Sequence, residues 1–413
     1  MGTQSSKRTS QVPFAKRDYS HFAVITVVFN PIRYRSRYQL YRKFSKHMSR
    51  SGIHLLTVEC IFESAEKFGL PKQRFEVTRS NEPSHLQIKV PSIIWLKENL
   101  INIAVKHLPS SMEYVAWVDA DIEFERFDWP QSTIDQLQCY PIVQLFQLSF
   151  FLGPSGKKQI LHRDYSFAYA IRNGIPTNSC RSSQSYFHPG YAWAMRRETF
   201  NKIGGLLDFS ILGSGDLHFA YALINRIDET IPAGIHSDYR RLANIWGERV
   251  ARVAGNGSCV GYISNSIYHH WHGSRRDRRY DERWSLLERF QFSPLNDLEK
   301  NSQIELLRLA GCDDLDQSKS TTRLQLLETN IVNYFRLRDE DNMESPIPTL
   351  NTITLVNAPT SPVTDTFRPI DDASIHNEIS AIGDNNYASD DLSLRNHLSE
   401  YQSHDNFSRE AVF

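Results

Sequence analysis

A short acidic motif at the end of an apolar run constrains this chain more than any other feature. The run Tyr114–Val118 reads Tyr-Val-Ala-Trp-Val and is followed by Asp119-Ala-Asp121. Apolar residues bounded in this way by polar ones are typical of a fully buried strand in an α/β sheet. Ligands bind at the carboxyl ends of the strands in such sheets. Asp119 and Asp121 are therefore candidate ligands of a hard divalent cation, and a solvated turn is the alternative interpretation.

The residues before this motif predict how the sheet begins. Phe22–Phe29 is rich in β-branched and aromatic residues and stops at Asn30-Pro31, which predicts a central strand followed by a loop. A helical pattern over 34–51 and a second strand over 54–62 complete a βαβ unit. Glu59 lies on that second strand, where such folds often place an acceptor for a ribose or base. Its alternative role is a strand residue paired with an arginine.

Further elements are predicted on both sides of the acidic strand. A helix over 94–108 leads into it and carries Lys97, Glu98 and Asn102, while 140–147 predicts another strand. Residues 166–171 fit a short strand or a short helix equally well. A chain of 413 residues is long enough to bury a large core, so alternating strands and helices predict an α/β domain.

The region 185–223 is a second informative stretch. It contains His188-Pro-Gly-Tyr-Ala-Trp193, and a predicted helix from Arg197 closes at Gly204-Gly205. Leu212-Gly-Ser-Gly-Asp216 then opens another helix. Glycines there allow the backbone to come close to a ligand, and Asp216 would lie near the positive end of the helix. Helix capping is the alternative role of Asp216.

Three imidazoles and a basic run follow a later strand. His269, His270 and His272 precede Gly273. If the segment stays extended, His270 and His272 point to one side and His269 to the other. Three histidines in this position favour a metal ligand over a set of surface residues. The arginines that follow match phosphate geometry, although a solvated basic surface is an equal alternative for them, and they stand at positions 275, 276, 278, 279 and 283.

Taken together, these motifs resemble the nucleotide-sugar-dependent glycosyltransferases of GT-A fold, in their glycosyltransferase-2-like branch. The resemblance covers about 22–284 and depends on the order and spacing of the motifs. It implies a Rossmann-like mixed sheet flanked by helices. It also implies sugar transfer from a nucleotide-diphosphate sugar to the hydroxyl of a glycan, protein or lipid acceptor. The implied cofactor is a divalent metal, Mn²⁺, with Mg²⁺ as the alternative.

The resemblance also implies roles for individual residues. Asp121 and His272 would hold the metal, with His269 and His270 competing for the place of His272, and Asp119 would reach the ribose or the metal. Asp216 would act on the acceptor as general base, although the chain has a lone Asp after Gly-Ser-Gly where many members have a second acidic residue. The remaining candidate contacts fall into three groups: donor contacts at Asn30, Glu59, Lys97 and Asn102; acceptor or loop residues at His188, Gly190, Trp193, Gly213 and Gly215; and phosphate contacts at Arg275 and Arg279.

The chain divides into four predicted parts. Residues 1–20 are polar and basic, which predicts disorder, and 21–290 would form the catalytic domain. Residues 291–340 would form a helical extension, with amphipathic helices over 298–309 and 322–337. From Asp341 onward there are twelve acidic residues against three arginines and no lysine, and hydrophobic periodicity is lost. This composition predicts a disordered acidic tail over 341–413.

Targeting signals favour the cytoplasm. No apolar run is long enough for a membrane helix, no secretory signal peptide is recognisable, and five widely spaced cysteines fit a reducing compartment. The start Met1-Gly2-Thr3-Gln4-Ser5-Ser6 fits myristoylation of Gly2, and basic residues follow it, so peripheral membrane contact is one expectation. A polar tail with glycine by chance is the other. Nucleic acid is not an expected partner.

Two rival functions remain at this point. One is a nucleotidyltransferase on a similar sheet, which would normally have a glycine-rich basic loop straight after the first strand. Here that loop reads Asn30-Pro-Ile-Arg-Tyr-Arg35, without glycine. The other is a catalytically inactive interaction module that keeps the fold. Every candidate ligand is present, which argues against an inactive module, although fold analogy alone proves no activity.

Overall fold

The computed structural model describes residues 19–177, 187–274, 276–311 and 322–344. The predictions for Gly2, for Arg275 and for nearly all of the acidic tail lie outside these residues. Among the described residues, no helix combines the length and apolar character that a membrane crossing requires.

The strands follow the apolar, β-branched stretches of the sequence. In chain order they are β1 (Phe22–Val28), β2 (His54–Phe62), β3 (His85–Val90), β4 (Tyr114–Val118), β5 (Ile122–Phe124), β6 (Ile142–Gln144), β7 (Leu148–Gly153), β8 (Gly156–Ser166), β9 (Phe187–His188), β10 (Ala192–Arg196), β11 (Val260–Tyr262), β12 (Ser266–His269), β13 (Leu298–Lys300) and β14 (Leu307–Leu309). Every residue of β4 except its first is buried, as expected of a central strand.

The helices cover the sheet or continue from its strands. In chain order they are α1 (Arg35–Ser51), α2 (Lys97–His107), α3 (Trp129–Cys139), α4 (Phe167–Arg172), α5 (Arg197–Lys202), α6 (Gly215–Leu223), α7 (Ser237–Val253), α8 (Arg283–Arg289), α9 (Pro294–Asp297) and α10 (Arg323–Leu337). The undecided segment at 166–171 is helical, because the Ser166 side chain accepts a hydrogen bond from the Tyr169 amide and caps α4.

The main sheet has seven strands in the order β3-β2-β1-β4-β10-β6-β11. β10 runs antiparallel to both of its neighbours, and the other pairings are parallel. The sheet is therefore mixed and flanked by helices, as the resemblance predicts. Since β1 and β4 are parallel, their carboxyl ends meet at one edge. The antiparallel β10 brings its amino end there too, and Tyr191 accepts a hydrogen bond from the Asp119 amide at 2.8 Å.

A second sheet, in the order β5-β12-β7-β8-β9, extends from the same edge. β5 follows directly after the acidic motif and pairs with β12 in antiparallel fashion, with Ile122 opposite His269. The amide of His270 donates to the carbonyl of Asp121 at 2.8 Å. This pairing places the residues from His269 to His272, here called the histidine segment, beside the acidic motif, although more than 140 residues separate the two in the sequence.

Two apolar cores lie on opposite faces of the main sheet. Alternate residues of β1 enter different cores, with Ala23 and Ile25 in one and Phe22 and Val24 in the other. The first core receives the apolar face of α2, and the second receives that of α1 through buried residues such as Phe44. Both faces of β1 and β4 are thus buried, which leaves the strand ends as the exposed edge for a site.

One predicted helix is wrong. The segment over 298–309 forms the hairpin β13–β14, in which Leu298 pairs with Leu309. The Asn301 side chain accepts hydrogen bonds from the amides of Gln303 and Ile304, and its own amide donates to Leu306. Asparagine competes in this way with a helix by offering the backbone a local turn. The neighbouring prediction over 322–337 is confirmed as α10, with a capping box at Thr322.

Candidate active site

The exposed edge of the main sheet forms one wall of an open cleft of about 890 Å³. This volume lies in the range of pockets that bind cofactors and drug-sized ligands. The lining combines the residues after β1 and β4, the start of α6, the histidine segment, and residues that follow α10. Of the predicted site residues, the cleft brings together Asn30, Lys97, Asp119, Asp121, His188, Gly213, Gly215, Asp216 and His272.

A two-histidine, one-carboxylate cluster lies at one end of the cleft. The side chains of Asp121, His269 and His272 are buried, at 7%, 2% and 2% exposure, and one ligand atom from each lies within 4.8 Å of the others. His272 Nε2 is 3.2 Å from Asp121 Oδ2 and 3.3 Å from His269 Nε2. His269 Nε2 is 3.8 Å from Asp121 Oδ1. The two imidazoles and the carboxylate thus face one point.

The donor set fits a divalent cation of the transition series. Two nitrogen ligands that share one cation, each about 2.1 Å from it, lie no more than about 4.2 Å apart, and the two Nε2 atoms meet this limit. Asp121 Oδ1 has no hydrogen-bond partner among the described residues, although it is buried. Imidazole nitrogens suit transition metals, whereas Mg²⁺ prefers oxygen ligands and retained water. The donor set therefore suits a transition-metal cation better than Mg²⁺.

Electrostatics keep Asp121 and His269 in the ligating protonation states. Burial alone would raise the pKa of Asp121, but His269, His272 and Arg37 outweigh it and hold that pKa well below its usual range. Burial lowers the pKa of His269 well below its ordinary value, against the opposing effect of Asp121. A neutral imidazole and an ionised carboxylate are the forms that bind a metal.

His270 lies outside this cluster. Its Nε2 is 3.2 Å from Glu123 Oε2, on the strand that follows the acidic motif. The condition under which His270 and His272 would share one side is not met, because β12 ends at His269 and the chain turns there instead of staying extended. In this structure His269 takes the place beside His272.

A second charged cluster joins the acidic strand to α6. Lys97 Nζ lies 2.6 Å from Asp119 Oδ1 and 3.4 Å from Asp216 Oδ1, so one ammonium bridges two carboxylates. Burial raises the pKa of Asp119 to about 7 despite the opposing charge of Lys97. Burial would lower the pKa of Lys97, but Asp119 and Asp216 outweigh it and raise that pKa above its usual range. Asp119 and Asp216 are thereby held side by side on the cleft wall.

The glycines near Asp216 allow the backbone and side chains to approach closely. A Cβ at Gly190 would lie 2.7 Å from Asp216 Oδ2, and one at Gly215 would lie 2.2 Å from Glu98 Oε1. Gly213 and Ser214 have φ values of 91° and 87°, and such a conformation is strained for serine. The buried Ser214 Oγ has no hydrogen-bond partner among the described residues. This loop therefore buries a hydroxyl without such a partner where α6 meets the cleft.

Among the predicted contact residues that do not line the cleft, three make structural contacts instead. The Glu59 carboxylate is buried and accepts hydrogen bonds from the amides of residues 76–78, so it holds that loop instead of pairing with an arginine. The Asn102 amide group binds both the amide and the carbonyl of Leu206. Trp193 lies in the core and donates to the Pro189 carbonyl. Their observed contacts are structural.

Other arginines reach the cleft than those predicted. Arg279 pairs with Glu282 at 2.7 Å and does not line it. Arg278 and Arg283 do line it, and Arg278 Nη1 is 3.4 Å from His272 Nε2. Sequence reasoning recognised the basic run but not which of its members face inward, because the chain there turns irregularly.

Two charged residues near the metal cluster were missed entirely. Arg37, on the first turn of α1, lies 3.2 Å from Asp121 Oδ2 through Nη1 and also pairs with Glu340. Glu340 follows α10 and lies 3.5 Å from His272 Nδ1. A basic residue soon after the first strand's loop was a weak signal for Arg37. The local sequence around Glu340 resembles the acidic tail, so it held no signal for that residue.

No protein-family model and no curated protein matches the chain. Similar solved structures include a variant of Drosophila β-1,4-galactosyltransferase 7 in complex with manganese, UDP-Gal and xylobiose, at 14% identity and a TM-score of 0.32, covering 70% of this chain and 92% of that one. The catalytic domain of the same Drosophila enzyme with xylobiose matches at 13% identity and a TM-score of 0.30, with the same coverage.

A third similar structure is the 4-diphosphocytidyl-2C-methyl-D-erythritol synthase of Anaerococcus prevotii, at 13% identity and a TM-score of 0.26. That match covers 45% of this chain and 75% of the other. Likenesses this distant assign no activity to this chain.

Proposed function

We propose that this protein is a metal-dependent glycosyltransferase that moves a sugar from a nucleotide-diphosphate sugar to an acceptor hydroxyl. One observation carries the proposal. A single cleft contains the Asp121, His269 and His272 cluster, the carboxylates of Asp119 and Asp216 bridged by a lysine, and two inward-facing arginines. Glycosyl transfer needs positive charge at a leaving diphosphate and a base at an attacking hydroxyl, and this cleft offers both.

The cationic end of the cleft would bind the diphosphate. Asp121, His269 and His272 would hold a divalent cation, preferably Mn²⁺, which neutralises charge on the leaving diphosphate when bound. Arg278 and Arg283 face the same space, and their guanidinium groups match the geometry of phosphate oxygens. Asp119 would contact the ribose or the metal.

Asp216 would receive the proton of the acceptor. In the proposed reaction the acceptor oxygen bonds to the anomeric carbon, the bond from that carbon to the diphosphate breaks, and the hydroxyl proton moves to Asp216. About a third of the Asp216 side chain is exposed, at 35%, so it can reach an acceptor in the cleft. Lys97 would position the Asp216 carboxylate through their ion pair. His188, Gly190 and Gly213 would shape the acceptor side.

Partners and location remain part of the proposal. The acceptor would be a glycan, protein or lipid, and nucleic acid is not expected. We retain the cytoplasm as the expected location and myristoylation of Gly2 as a possible means of peripheral membrane contact. Equal membrane partitioning of wild type and Gly2→Ala would contradict the lipid anchor.

A panel of nucleotide sugars tests the proposed activity. We expect the purified protein to release nucleoside diphosphate from one donor with Mn²⁺, and chelator to abolish the release. Asp121→Asn should reduce it by at least 100-fold because the metal loses its carboxylate. Asp135→Asn, at an exposed helix position, is the matched control and should be fully active. Activity that survives both chelator and Asp121→Asn would contradict the proposal, and release of pyrophosphate from a nucleoside triphosphate would favour a nucleotidyltransferase.

A further inference from the structure

The chain after α10 returns across the metal cluster. We name Arg338–Glu344 the C-terminal strap. The Tyr34 hydroxyl donates to the carbonyls of Phe335 and Arg338, and the Asp341 carboxylate accepts from the amides of Arg35 and Ser36 at 3.0 and 2.8 Å. These two amides lie at the free end of α1, so Asp341 stabilises the helix and ties the strap to it.

The strap is also tied to the histidine segment. Trp271 Nε1 donates to the carbonyl of Asn342 at 2.6 Å, and the amide of Asp339 donates to the carbonyl of Asp277 at 3.1 Å. A Cβ at Gly273 would lie 2.5 Å from the carbonyl oxygen of Asp339, so the glycine is needed for the strap to pack here. The strap therefore contacts both α1, which carries Arg37, and the histidine segment, which carries His269 and His272.

Glu340 is the strap residue that enters the cluster. It is buried, at 5% exposure, and its carboxylate lies between Arg37, Arg338 and His272. Arg338 Nη2 is 2.8 Å from Glu340 Oε1. Burial would raise the pKa of Glu340, but Arg338 and Arg37 outweigh it and hold that pKa well below its usual range. Glu340 is thus a fixed anion behind the histidine.

An imidazole whose Nε2 takes a metal must carry its proton on Nδ1, and that N–H needs an acceptor. His272 directs Nε2 toward Asp121 and His269. Its buried Nδ1 has no hydrogen-bond partner within the usual criteria among the described residues. The Glu340 carboxylate lies 3.5 Å from that nitrogen, an ion-pair distance at the outer limit of hydrogen bonding.

We propose that Glu340 is a positioning residue of the metal centre. Its carboxylate accepts the Nδ1–H of His272, keeps Nε2 free for the cation, and makes the site complete only when the C-terminal strap is docked. This inference rests on the proposed metal site. It assigns a role to a residue about seventy positions beyond the histidine segment.

Metal affinity tests the proposal without measuring turnover. Mn²⁺ binding to the full chain would be measured by electron paramagnetic resonance of free Mn²⁺, with no sugar donor present. We expect Glu340→Ala to weaken binding by about 10- to 100-fold, as loss of such a partner typically does. Glu340→Gln retains an acceptor oxygen and should fall between wild type and Glu340→Ala. Glu344→Gln, at an exposed strap position, is the matched control.

A double-mutant cycle with His272→Ala shows whether Glu340 acts through the histidine. In the His272→Ala background, Glu340→Gln should weaken Mn²⁺ binding by less than twofold. An unchanged effect of Glu340→Gln in that background would overturn the proposal. Thermal melts check that each variant is folded, since Arg37 and Arg338 lose their shared carboxylate. Glu340→Gln preserves the side-chain volume and serves as the test variant if Glu340→Ala unfolds.

The tautomer of His272 gives a readout that needs no metal. Nitrogen-15 NMR of histidine-labelled protein should show the Nδ1–H tautomer in wild type and a shift away from it in Glu340→Ala, which removes the acceptor. The same tautomer in both proteins would overturn the proposal.

The outcomes separate this inference from the proposed function. If the wild type binds no Mn²⁺, the proposed function fails and the tautomer decides the role of Glu340. If the wild type binds Mn²⁺ and Glu340→Ala binds it equally well, only the role of Glu340 is overturned. If Glu340→Gln binds a nucleoside diphosphate more tightly than the wild type does, the Glu340 carboxylate competes with the phosphates for the same cationic groups. That result would overturn the positioning role.

Discussion

Asp119 and Asp121 are separated by one residue but occupy opposite electrostatic environments. Two imidazoles and a guanidinium surround Asp121 and hold its pKa well below the usual range, against the effect of burial. Burial raises the pKa of Asp119 to about 7, and one lysine only partly offsets it. Environments that separate the pKa values of neighbouring carboxylates commonly divide their roles. In the proposed function, Asp121 would accordingly hold the metal, and Asp119 would contact the ribose or the metal.

Adjacent histidines provide a sharp test of the metal cluster. We expect His269→Ala to lower Mn²⁺ affinity by at least tenfold, because its Nε2 faces Asp121 and His272. His270→Ala should leave the affinity within twofold, since that ring contacts Glu123 instead. Calorimetric titration with Mn²⁺ measures both variants. Equal losses in the two would contradict the assigned cluster, and a loss only in His270→Ala would restore the arrangement expected from an extended segment.

His218 predicts a pH dependence of stability. It is fully buried on α6, with Nδ1 2.5 Å from Thr230 Oγ1 and Nε2 2.9 Å from the Tyr239 hydroxyl. Burial lowers its pKa to about 3, with a smaller effect from Arg283. The unfolded chain protonates this histidine below about pH 6.5, whereas the folded protein keeps it neutral. His218 therefore contributes stability above pH 6.5 that is progressively lost as the pH falls toward 3.

Urea unfolding at several pH values measures this contribution. Relative to His218→Gln, the wild type should lose about 1.4 kcal/mol of unfolding free energy per pH unit below pH 6.5. The variant should be less stable at pH 7.5, and the gap should narrow as the pH falls. His54→Gln, at an exposed strand position, is the control. A gap that is constant from pH 7.5 to pH 5 would show that His218 does not titrate as inferred.

At the scale of elements, strand ends decide which side chains meet. β12 pairs with β5 only as far as His269, and beyond that residue the alternation of a strand no longer applies. The side chain of His272 therefore returns to the same side as His269. In a similar way, the antiparallel β10 brings Gly190 to the acidic edge, where the missing Cβ leaves room for Asp216.

The capping box of α10 predicts a measurable contribution to stability. The Thr322 hydroxyl accepts from the Gln325 amide, and the Gln325 side chain accepts from the Thr322 amide. Thr322→Ala should lower the unfolding free energy by about 1 kcal/mol. Thr329→Ala, at an exposed position on the same helix, should change it by less than half as much. Chemical denaturation of both variants measures this, and equal effects would show that the cap contributes nothing specific.

At the scale of the whole molecule, the site is assembled from distant parts of the chain. The cleft receives charged side chains from α1, α2, the end of the acidic strand, α6 and the C-terminal strap, and it receives imidazoles from the histidine segment. The strap also includes the first residues of the predicted acidic tail. Asp341 caps α1, and Asn342 contacts Trp271.

Two truncations test where the functional unit ends. A chain ending at Glu344 retains every described contact of the strap, so we expect its melting temperature and Mn²⁺ affinity to match the full chain. A chain ending at Leu337 lacks Glu340 and Asp341, and we expect weaker Mn²⁺ binding and a lower melting temperature. Thermal melts and Mn²⁺ titration measure both proteins. Loss of Mn²⁺ binding in the chain that ends at Glu344 would show that residues beyond 344 are also needed for metal binding.

The sequence by itself determined the main features of the sheet edge. An apolar run followed by Asp119-Ala-Asp121 predicted a buried strand that ends in carboxylates, and the βαβ pattern predicted its neighbours. These predictions succeeded because strand and helix periods are local properties of the chain. The helix predicted over 298–309 failed because a single Asn301 turn redirected the backbone. The roles of the predicted site residues remain predictions.

Only the tertiary structure decided which charges share the site. It selected His269 over His270, selected Arg278 over Arg279, and brought in Arg37 and Glu340, none of which the local pattern distinguished. Glu59 does not line the cleft, because its carboxylate accepts hydrogen bonds from three loop amides. The physical reason is that a charge is placed by where its strand or helix ends and by which distant partners compensate its burial, and sequence spacing records neither.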